Sequence, residues 1–245
     1  MKRGLFSIRK TLVAVSALVL SVALLSSCRK DRDNVDTPVA GLMAFNLSPD
    51  KGQIGIALSG NLLTNIPLQY TSFTGNYRNI FPGERTVESF NAVNDSTLAS
   101  SSFNFSSKKY YSLFVVGNSG AYQNLVVHDN LDSLSASSGQ AYVRYINAIP
   151  DSSAPTVTVT SNGTNVVNTP ASFASVSEFT AVNSGNITVA VANGNSIAAN
   201  RTFAVESGKV YTVLLVGVPG STDTEKLIQI KYIQNGILTD DEQKN

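Results

Sequence analysis

Residues 109–117 read KYYSLFVVG, and residues 209–217, one hundred positions later, read KVYTVLLVG. The two stretches share a Lys, a Tyr, a small hydroxyl residue, four apolar residues and a final Gly in the same order. Both are short and rich in Val, Leu, Tyr and Phe, and both stop at Gly, which is typical of a central β-strand and not of a helix. A sequence that repeats itself at this spacing is built from two copies of one module.

The residues before the repeated strand predict further strands in each copy. The first strand of each copy ends in a Pro-Asp pair, at Pro49 and at Pro150, because proline cannot donate to a sheet ladder. Apolar and polar residues then alternate, most clearly over 156–163, which ends in an Asn-Gly hairpin signal. No amphipathic helical pattern occurs after residue 30. The pattern predicts six or seven short strands per copy, folded as a sandwich.

The repeated strand itself indicates where it lies in the sandwich. Its near-continuous apolarity, broken only at Ser112 and Thr212, favours a strand flanked on both edges, with the tyrosine phase facing the core more fully. Residues 208–211, Gly-Lys-Val-Tyr, resemble the tyrosine corner of immunoglobulin-like sandwiches, in which a Tyr bonds to the backbone a few residues upstream. Tyr211 either makes this bond or is an ordinary core aromatic. The predicted fold class is all-β, with two tandem immunoglobulin-like antiparallel β-sandwiches.

The beginning of the chain has the features of a secretory signal. Four basic residues lie within residues 1–10, and residues 12–25 are apolar except for two serines. The apolar run ends in Leu-Ser-Ser-Cys at 25–28, which resembles the bacterial lipobox. This resemblance implies cleavage before Cys28 and attachment of two or three acyl chains to it, enough for a lasting membrane anchor. The alternative is a buried free cysteine that follows an apolar leader.

The residues after Cys28 bear on where the protein is displayed. Lys30 and Asp31 resemble the export signal of surface lipoproteins of the Bacteroidota, although Arg32 stands where a second acidic residue is expected. We therefore expect an outer-membrane lipid anchor that displays the protein on the cell surface, or otherwise faces the periplasm. The predicted organisation is a signal peptide (1–27), a flexible tether (28–40), a first sandwich (41–133), a second sandwich (140–235) and a polar tail (236–245). Between the sandwiches, the short linker 134–140 should limit hinge motion.

Composition excludes several classes of function. Without the four leader residues, 14 basic residues stand against 17 acidic ones, so the mature chain has no basic face for nucleic acid. With one cysteine and one histidine, the chain lacks the residues for a disulfide or for a Cys/His metal site. The sequence contains no phosphate-binding glycine loop, and we expect no cofactor and no metal. Asp50 and Asp151 are interpreted as turn residues and not as calcium ligands.

Longer motifs in the second copy resemble a known family. The copy reads YINAIPDSSAPTVTV at 145–159, has Phe179 six residues before Gly185, and closes with SGKVYTVLLVG at 207–217. These motifs are similar to the domain of unknown function numbered 4397, which occurs in secreted and membrane-tethered bacterial proteins, often in tandem. The first copy matches less closely. The resemblance implies a β-sandwich at the cell envelope. The family carries no known active site, so the resemblance leaves the biochemistry open.

The sequence contains few candidates for catalytic, ligand-binding or modified residues. His128 lies beside Asp129, but no Gly-x-Ser-x-Gly nucleophile motif accompanies it, so an ordinary histidine at a strand end is favoured. The chain has no Trp, so the candidate ligand-contact aromatics are tyrosines, which otherwise would simply pack: Tyr70, Tyr77 and Tyr122. Ser96 and Ser133 stand in short motifs that resemble acceptors of O-glycosylation in Bacteroidota.

These observations predict a lipid-anchored envelope protein without catalytic activity, whose sandwiches bind a protein or a glycan. The alternative function is a structural spacer or an accessory subunit of an outer-membrane assembly. A third, less favoured function is an enzyme whose site is not visible in the sequence. Apart from the membrane at Cys28, the expected partners are proteins or glycans, and neither nucleic acid nor a small-molecule cofactor.

Overall fold

The computed structural model describes residues 37–194 and 196–238. Within these residues the helical segments are two 3₁₀ turns, Leu131–Ser133 and Thr224–Lys226. No helix in these residues has the length and apolarity that crossing a membrane requires. From Pro38 onward the described chain forms one compact unit built from β-strands.

The first copy of the repeat contains nine strands. They are β1 (Ala40–Asn46), β2 (Gln53–Leu58), β3 (Asn61–Leu62), β4 (Leu68–Gln69), β5 (Arg78–Ile80), β6 (Gly83–Asn91), β7 (Thr97–Phe105), β8 (Tyr110–Asn118) and β9 (Ala121–His128). One sheet has the order β5-β1-β8-β9, and we call it the inner sheet. The other has the order β3-β2-β6-β7, with β4 also paired to β2, and we call it the outer sheet.

The second copy contains eight strands in the same arrangement. They are β10 (Gln140–Asn147), β11 (Thr156–Ser161), β12 (Thr164–Pro170), β13 (Thr180–Asn183), β14 (Gly185–Ala192), β15 (Ala198–Val205), β16 (Lys209–Val216) and β17 (Gln229–Ile237). Its inner sheet is β13-β10-β16-β17 and its outer sheet is β12-β11-β14-β15. The prediction of two all-β sandwiches is confirmed.

One detail of the sheets differs from the predicted antiparallel arrangement. The first strand of each copy runs parallel to the repeated strand, β1 beside β8 and β10 beside β16, while the other strand pairs are antiparallel. A parallel pair needs a long connection, and here most of each module lies between the two paired strands. The hairpin signals that the sequence displays report only on neighbouring strands, so they could not reveal this pairing.

The repeated strand is buried on both of its faces. In β8, Tyr111, Leu113 and Val115 pack into the core between the two sheets of their own sandwich. Phe114 and Val116 point the other way and pack against the second copy. The near-continuous apolarity of the strand therefore reflects two covered faces, and both phases are buried to a similar degree.

The face between the two copies is a third core, which we call the shared core. It joins residues of both inner sheets, so the four sheets follow one another as outer, inner, inner and outer layers. Its largest fully buried members are Phe45, Phe114, Met43, Leu47 and Ile146. The ring centres of Phe45 and Phe114 lie 4.8 Å apart, and the ring of Phe73 stacks on Phe45 at 5.5 Å. The two sandwiches are thus joined by buried side chains as well as by the linker.

Only glycine fits at the end of the repeated strand, and the reason is the same in both copies. Gly117 and Gly217 have φ values of 116° and 117°, a region that favours glycine. A Cβ atom on Gly117 would lie 2.0 Å from the carbonyl oxygen of Ala121, and one on Gly217 would lie 2.3 Å from that of Leu227. The backbone of the next strand therefore occupies the space that any other residue would need.

Of the two roles that the sequence left open for Tyr211, the structure shows the tyrosine corner. Tyr211 Oη accepts a hydrogen bond from the backbone N–H of Glu206 at 3.1 Å, five residues upstream. Tyr111 makes the same bond in the first copy, accepting from Ser106 N–H at 2.9 Å. Each bond ties the loop before the repeated strand to that strand.

The linker and the C-terminal segment both pack more closely than a flexible connection would. Leu134 and Ala136 of the linker pack with Tyr142 and Val210 of the second copy. Strand β17 continues to Ile237, and Leu238 is buried, with its N–H bonded to the carbonyl of Gly208. Regular structure therefore extends beyond residue 235, where the sequence analysis ended the second sandwich. Residues 239–245 of the expected polar tail lie outside the described residues.

Candidate functional site

The residues predicted to anchor the protein are not part of the described structure. Cys28, Lys30 and Asp31 lie outside the described residues, so lipidation and export stay predictions. Ser96 and Ser133, the two serines in glycosylation-like motifs, are described and exposed. Their hydroxyl groups donate locally, Ser96 to the side chain of Asn94 and Ser133 to the backbone of Asn130.

Two of the three candidate tyrosines pack against the shared core. Tyr70 and Tyr77 are both half-buried there, which is the packing role that the sequence analysis left open for them. Tyr77 Oη donates to Asp129 Oδ2 at 2.5 Å, and its ring packs edge-on against Tyr110. Burial, reinforced by the negative charge of Asp129, raises the pKa of Tyr77 far above its ordinary value. Burial also raises the pKa of Tyr70, to about 12.

The third candidate, Tyr122, lies at the surface in a local cluster. Its hydroxyl group donates to Asp50 Oδ2 at 2.5 Å, and Lys51 Nζ lies 5.1 Å from the centre of its ring. Asp50 also accepts from the backbone N–H of Ser119 at 3.0 Å. Asp50 thus fastens two neighbouring turns together.

Asp151, the equivalent of Asp50, also has a turn role. Its Oδ1 accepts from the backbone N–H of Ser153 at 2.7 Å, and hydrogen bonds from Ser153 lower the pKa of the carboxyl group. In the described part of the chain, no three His, Cys, Asp or Glu residues are grouped as metal ligands would be. The interpretation of both aspartates as turn residues agrees with these contacts.

His128 does not form a catalytic arrangement with its neighbour Asp129. His128 lies at the end of β9, with its ring centre 5.1 Å from that of Tyr111, beside a surface cavity of about 400 Å³. Asp132 lines the same cavity, but its carboxylate pairs with Lys109, which lowers its pKa. Asp129 is directed into the protein and bonds to other groups.

Asp129 belongs to a buried polar cluster that the sequence analysis missed. Arg144, only 3% exposed, forms an ion pair with it, Nη1 to Oδ1 at 2.7 Å, across the two copies. The guanidinium group also donates to Thr212 at 3.0 Å and to Ser112 at 2.7 Å. Ser112 in turn donates to Asp129 Oδ2 at 2.8 Å, and Thr212 donates to Asn235 at 2.6 Å. The two polar breaks in the repeated strand are therefore the hydrogen-bonding centre of the shared core.

The signal for this cluster was present in the sequence but could not be interpreted there. Arg144 stands in an otherwise apolar strand, where a buried charge needs a partner. Its partner comes from the other copy, and one sequence does not show which face of a strand meets that copy.

An open groove with apolar and basic residues lies on the first sandwich. It consists of two adjoining cavities of about 610 Å³ and 320 Å³ that share Leu63. Three large apolar side chains line it and remain exposed: Leu62 at 59%, Ile66 at 78% and Phe81 at 64%. Exposed apolar side chains grouped around a concavity typically mark an interaction site. We call this feature the first-sandwich groove.

Hydrogen bonds hold one wall of the first-sandwich groove in place. Arg85 donates from Nε to the carbonyl of Phe81 at 3.2 Å and from Nη2 to that of Pro82 at 3.1 Å. The loop that presents the Phe81 ring is thereby fixed. Arg78 lines the other cavity, and within the described residues neither arginine is paired with a carboxylate. The groove therefore combines a preformed apolar wall with two uncompensated positive charges.

The second copy differs from the first in the equivalent region. Its edge strand β12 is continuous over seven residues, whereas in the first copy residues 63–67 interrupt the edge between β3 and β4. Strand pairing makes Ile187 the equivalent of Arg85, and Ile187 is buried in its own core. Asn183 stands where the first copy has Phe81. The arginine and the exposed ring of the groove wall therefore have no counterpart at these positions of the second copy.

A comparison with protein-family models identifies both copies. The model of the family described as "Domain of unknown function (DUF4397)" matches residues 40–153 and residues 141–230. The chain belongs to the DUF4397 family. The two matches overlap at residues 141–153 and are consistent with tandem DUF4397 copies, which the structure shows as two sandwiches joined through the shared core.

Other comparisons add little to the DUF4397 assignment. The comparison with curated proteins gave no match. Among solved structures, one match comes from work titled "Alpha-glucan recognition by family 41 carbohydrate-binding modules from streptococcal virulence factors". The aligned sequences are 9% identical, the match covers 78% of this chain and 96% of the other, and the TM-score is 0.23.

Proposed function

We propose that this protein is a non-catalytic binding protein of the bacterial cell envelope, anchored by lipid at Cys28, and that its partner is another protein. The observation that carries the binding role is the first-sandwich groove, with Leu62, Ile66 and Phe81 exposed around two joined cavities. Burying three such side chains against a partner contributes roughly 3–6 kcal/mol before the costs of association.

The charges of the groove favour a particular kind of partner segment. Arg78 and Arg85 flank the apolar side chains and lack carboxylate partners in the described structure. A segment that carries Asp or Glu beside large apolar residues would complement both features. Glycans offer little apolar surface for Ile66 and Leu62, so a protein fits this groove better.

Site-directed photo-crosslinking in living cells tests the proposed partner. A photoreactive residue at Ile66 should give a discrete adduct with another protein, and Phe81→Ala in the same chain should weaken it. The matched control is the same photoreactive residue at Val93, which is 81% exposed at the opposite end of β6. Equal adducts from both positions, no adduct from Ile66, or an adduct made only of glycan would each overturn the protein partner.

The anchor and the orientation need separate tests. Replacing Cys28 by Ser should abolish labelling of the protein with radioactive fatty acid, because the acyl chains would have no attachment site. Protease treatment of intact cells, with a periplasmic protein as an integrity control, should digest the sandwiches if the protein is displayed outside. Protection until the outer membrane is broken would place the partner within the envelope.

A second candidate function is a rigid spacer or accessory subunit of an outer-membrane assembly. The shared core and the buried pair of Arg144 with Asp129 support it, because they hold the two sandwiches together without a free hinge. In that case, variants of the first-sandwich groove would leave the assembly unchanged, while variants of the shared core would disrupt it.

A further inference from the structure

A further cavity, of about 450 Å³, lies where the two sandwiches meet. We call it the junction cleft. Its lining comes from both copies and is mainly polar: Gly52, Gln69, Tyr70 and Thr71 of the first, and Thr224, Glu225, Gln229 and Lys231 of the second. Its volume is within the range of about 300–1,000 Å³ that is usual for small-molecule sites, which often form between domains.

The side chains in the junction cleft form an ordered set of donors and acceptors. Lys231 Nζ donates to Thr71 Oγ1 at 2.7 Å across the two copies, and no carboxylate in the described chain pairs with this ammonium group. The amide of Gln229 donates to the backbone carbonyl of Glu225 at 3.1 Å, which leaves its side-chain oxygen as an acceptor. Tyr70, which is half-buried against the shared core, also lines the cleft.

The repeat shows that these polar residues are not required for packing. Matching hydrogen bonds in the two copies make Ala174 the equivalent of Thr71 and Phe173 the equivalent of Tyr70. Matching strand pairs make Leu125 the equivalent of Lys231. Phe173, Ala174 and Leu125 all pack against the shared core. The same scaffold is therefore satisfied by apolar residues at the equivalent place, and only the junction cleft carries the polar set.

We propose that the junction cleft binds a polyhydroxylated ligand, a saccharide unit. Its lining includes residues with ammonium, amide, hydroxyl and carboxylate groups beside Tyr70, a set that matches the many donors and acceptors of a sugar. One positive and one negative side chain face the cleft, so it has no excess of positive charge for a phosphate. The junction cleft adjoins the first-sandwich groove at Gln69 but differs from it in its mainly polar lining, and this proposal stands if the proposed protein partner of the groove is wrong.

The decisive variant replaces two polar residues of the cleft by the apolar residues found at the equivalent positions of the other copy. Thr71→Ala combined with Lys231→Leu installs the residue types of Ala174 and Leu125, which the fold already accommodates. The matched single variants are Gln229→Ala in the cleft and Gln123→Ala at its exposed equivalent on the first copy.

Amide NMR spectra of the mature chain would be recorded with three probes at millimolar concentration: a neutral hexose oligosaccharide, an N-acetylhexosamine oligosaccharide and a hexuronate oligosaccharide. We expect at least one probe to shift the amide signals of Gly52, Thr71 and Gln229 in a saturable way. The double variant and Gln229→Ala should weaken this binding about tenfold or more, since each removes a hydrogen bond from a confined site, whereas Gln123→Ala should not change it.

Two outcomes would overturn the saccharide site. One is that none of the three probes shifts the cleft signals. The other is that shifts persist unchanged in the double variant while its spectrum shows a native fold, because the sugar would then be bound elsewhere. Neither outcome bears on the crosslinking experiment at Ile66, so the two proposals fail independently.

Discussion

The two sandwiches share a scaffold and differ where they meet each other and where they meet solvent. Both have the tyrosine corner, the glycine that ends the repeated strand, and a buried Asn at the end of the first strand, Asn46 and Asn147. Each of these Asn side chains bonds to backbone groups of the following loop. Features that recur at equivalent positions therefore support the fold, and differences between copies locate functions that the fold does not need.

Two residue differences between the copies place one buried charge on each side of the shared core. Met43 of the first copy is replaced by Arg144 in the second, and Asn235 of the second takes the place that Asp129 has in the first. Each copy thus contributes one charge to a pair that neither could form alone. A buried Arg without its Asp is costly, so this exchange favours contact between unlike copies over contact between like ones.

The largest expected effect comes from removing one charge of this pair. Asp129→Asn gives the first copy the residue type of Asn235 and leaves Arg144 buried without a counter-charge. We expect a loss of about 3–5 kcal/mol in the free energy of unfolding. Denaturant unfolding of the mature chain, analysed for midpoint and slope, measures this loss.

The matching variant tests whether the loss comes from the pair. Arg144→Met in the Asp129→Asn background gives the second copy the residue type of Met43 and removes the buried charge. The double variant should recover about 2 kcal/mol or more relative to Asp129→Asn alone. Losses that simply add would contradict the account of the shared core.

A smaller effect should appear in alkaline solution and should depend on the first copy. Burial raises the pKa of Tyr70 to about 12 and that of Tyr77 still further, whereas the second copy has Phe173 and Phe179 at these places. In the unfolded chain these two tyrosines ionise near pH 10, whereas in the folded chain they stay protonated to higher pH. Their contribution to the free energy of unfolding is therefore fully present below about pH 10 and is lost as pH rises towards 12.

Replacing Tyr70 by Phe should therefore flatten the decline in stability between about pH 10 and 12, by about 1–2 kcal/mol at the upper limit. Tyr110→Phe, which changes a more exposed tyrosine at the surface, is the control and should leave the decline as it is. The same flattening in the control would show that the effect is not specific to the buried ring.

The smallest effect should be equal in the two copies. Tyr111→Phe and Tyr211→Phe each remove one hydrogen bond to an upstream backbone N–H and keep the aromatic ring. We expect each to cost about 1 kcal/mol of unfolding free energy. A measurable loss of unfolding free energy in only one of the two variants would mean that the corner stabilises that copy alone.

Much of the scaffold could be predicted because its determinants are local. Strand periodicity, Pro-Asp strand ends and Asn-Gly turns act over a few residues, so they can be interpreted without knowing what lies across the fold. The corner at Tyr211 was predictable for the same reason, since its partner is five residues away. The candidate functional surfaces were harder to predict from the sequence. Tyr70 and Tyr77 were candidates because of their residue type, yet their burial depends on a second inner sheet.

The sequence by itself determined that the protein has two copies of one all-β module, where their central strands lie and where those strands end. It also predicted that these strands are flanked on both edges, with the tyrosine phase facing the core more fully. Only the tertiary structure decided that the other phase is covered as well, by the second inner sheet. The Arg144–Asp129 pair joins the two copies, the first-sandwich groove lies beside the interrupted edge between β3 and β4, and the junction cleft joins residues 52–71 to residues 224–231. Their geometry arises from packing in the folded chain and not from local periodicity.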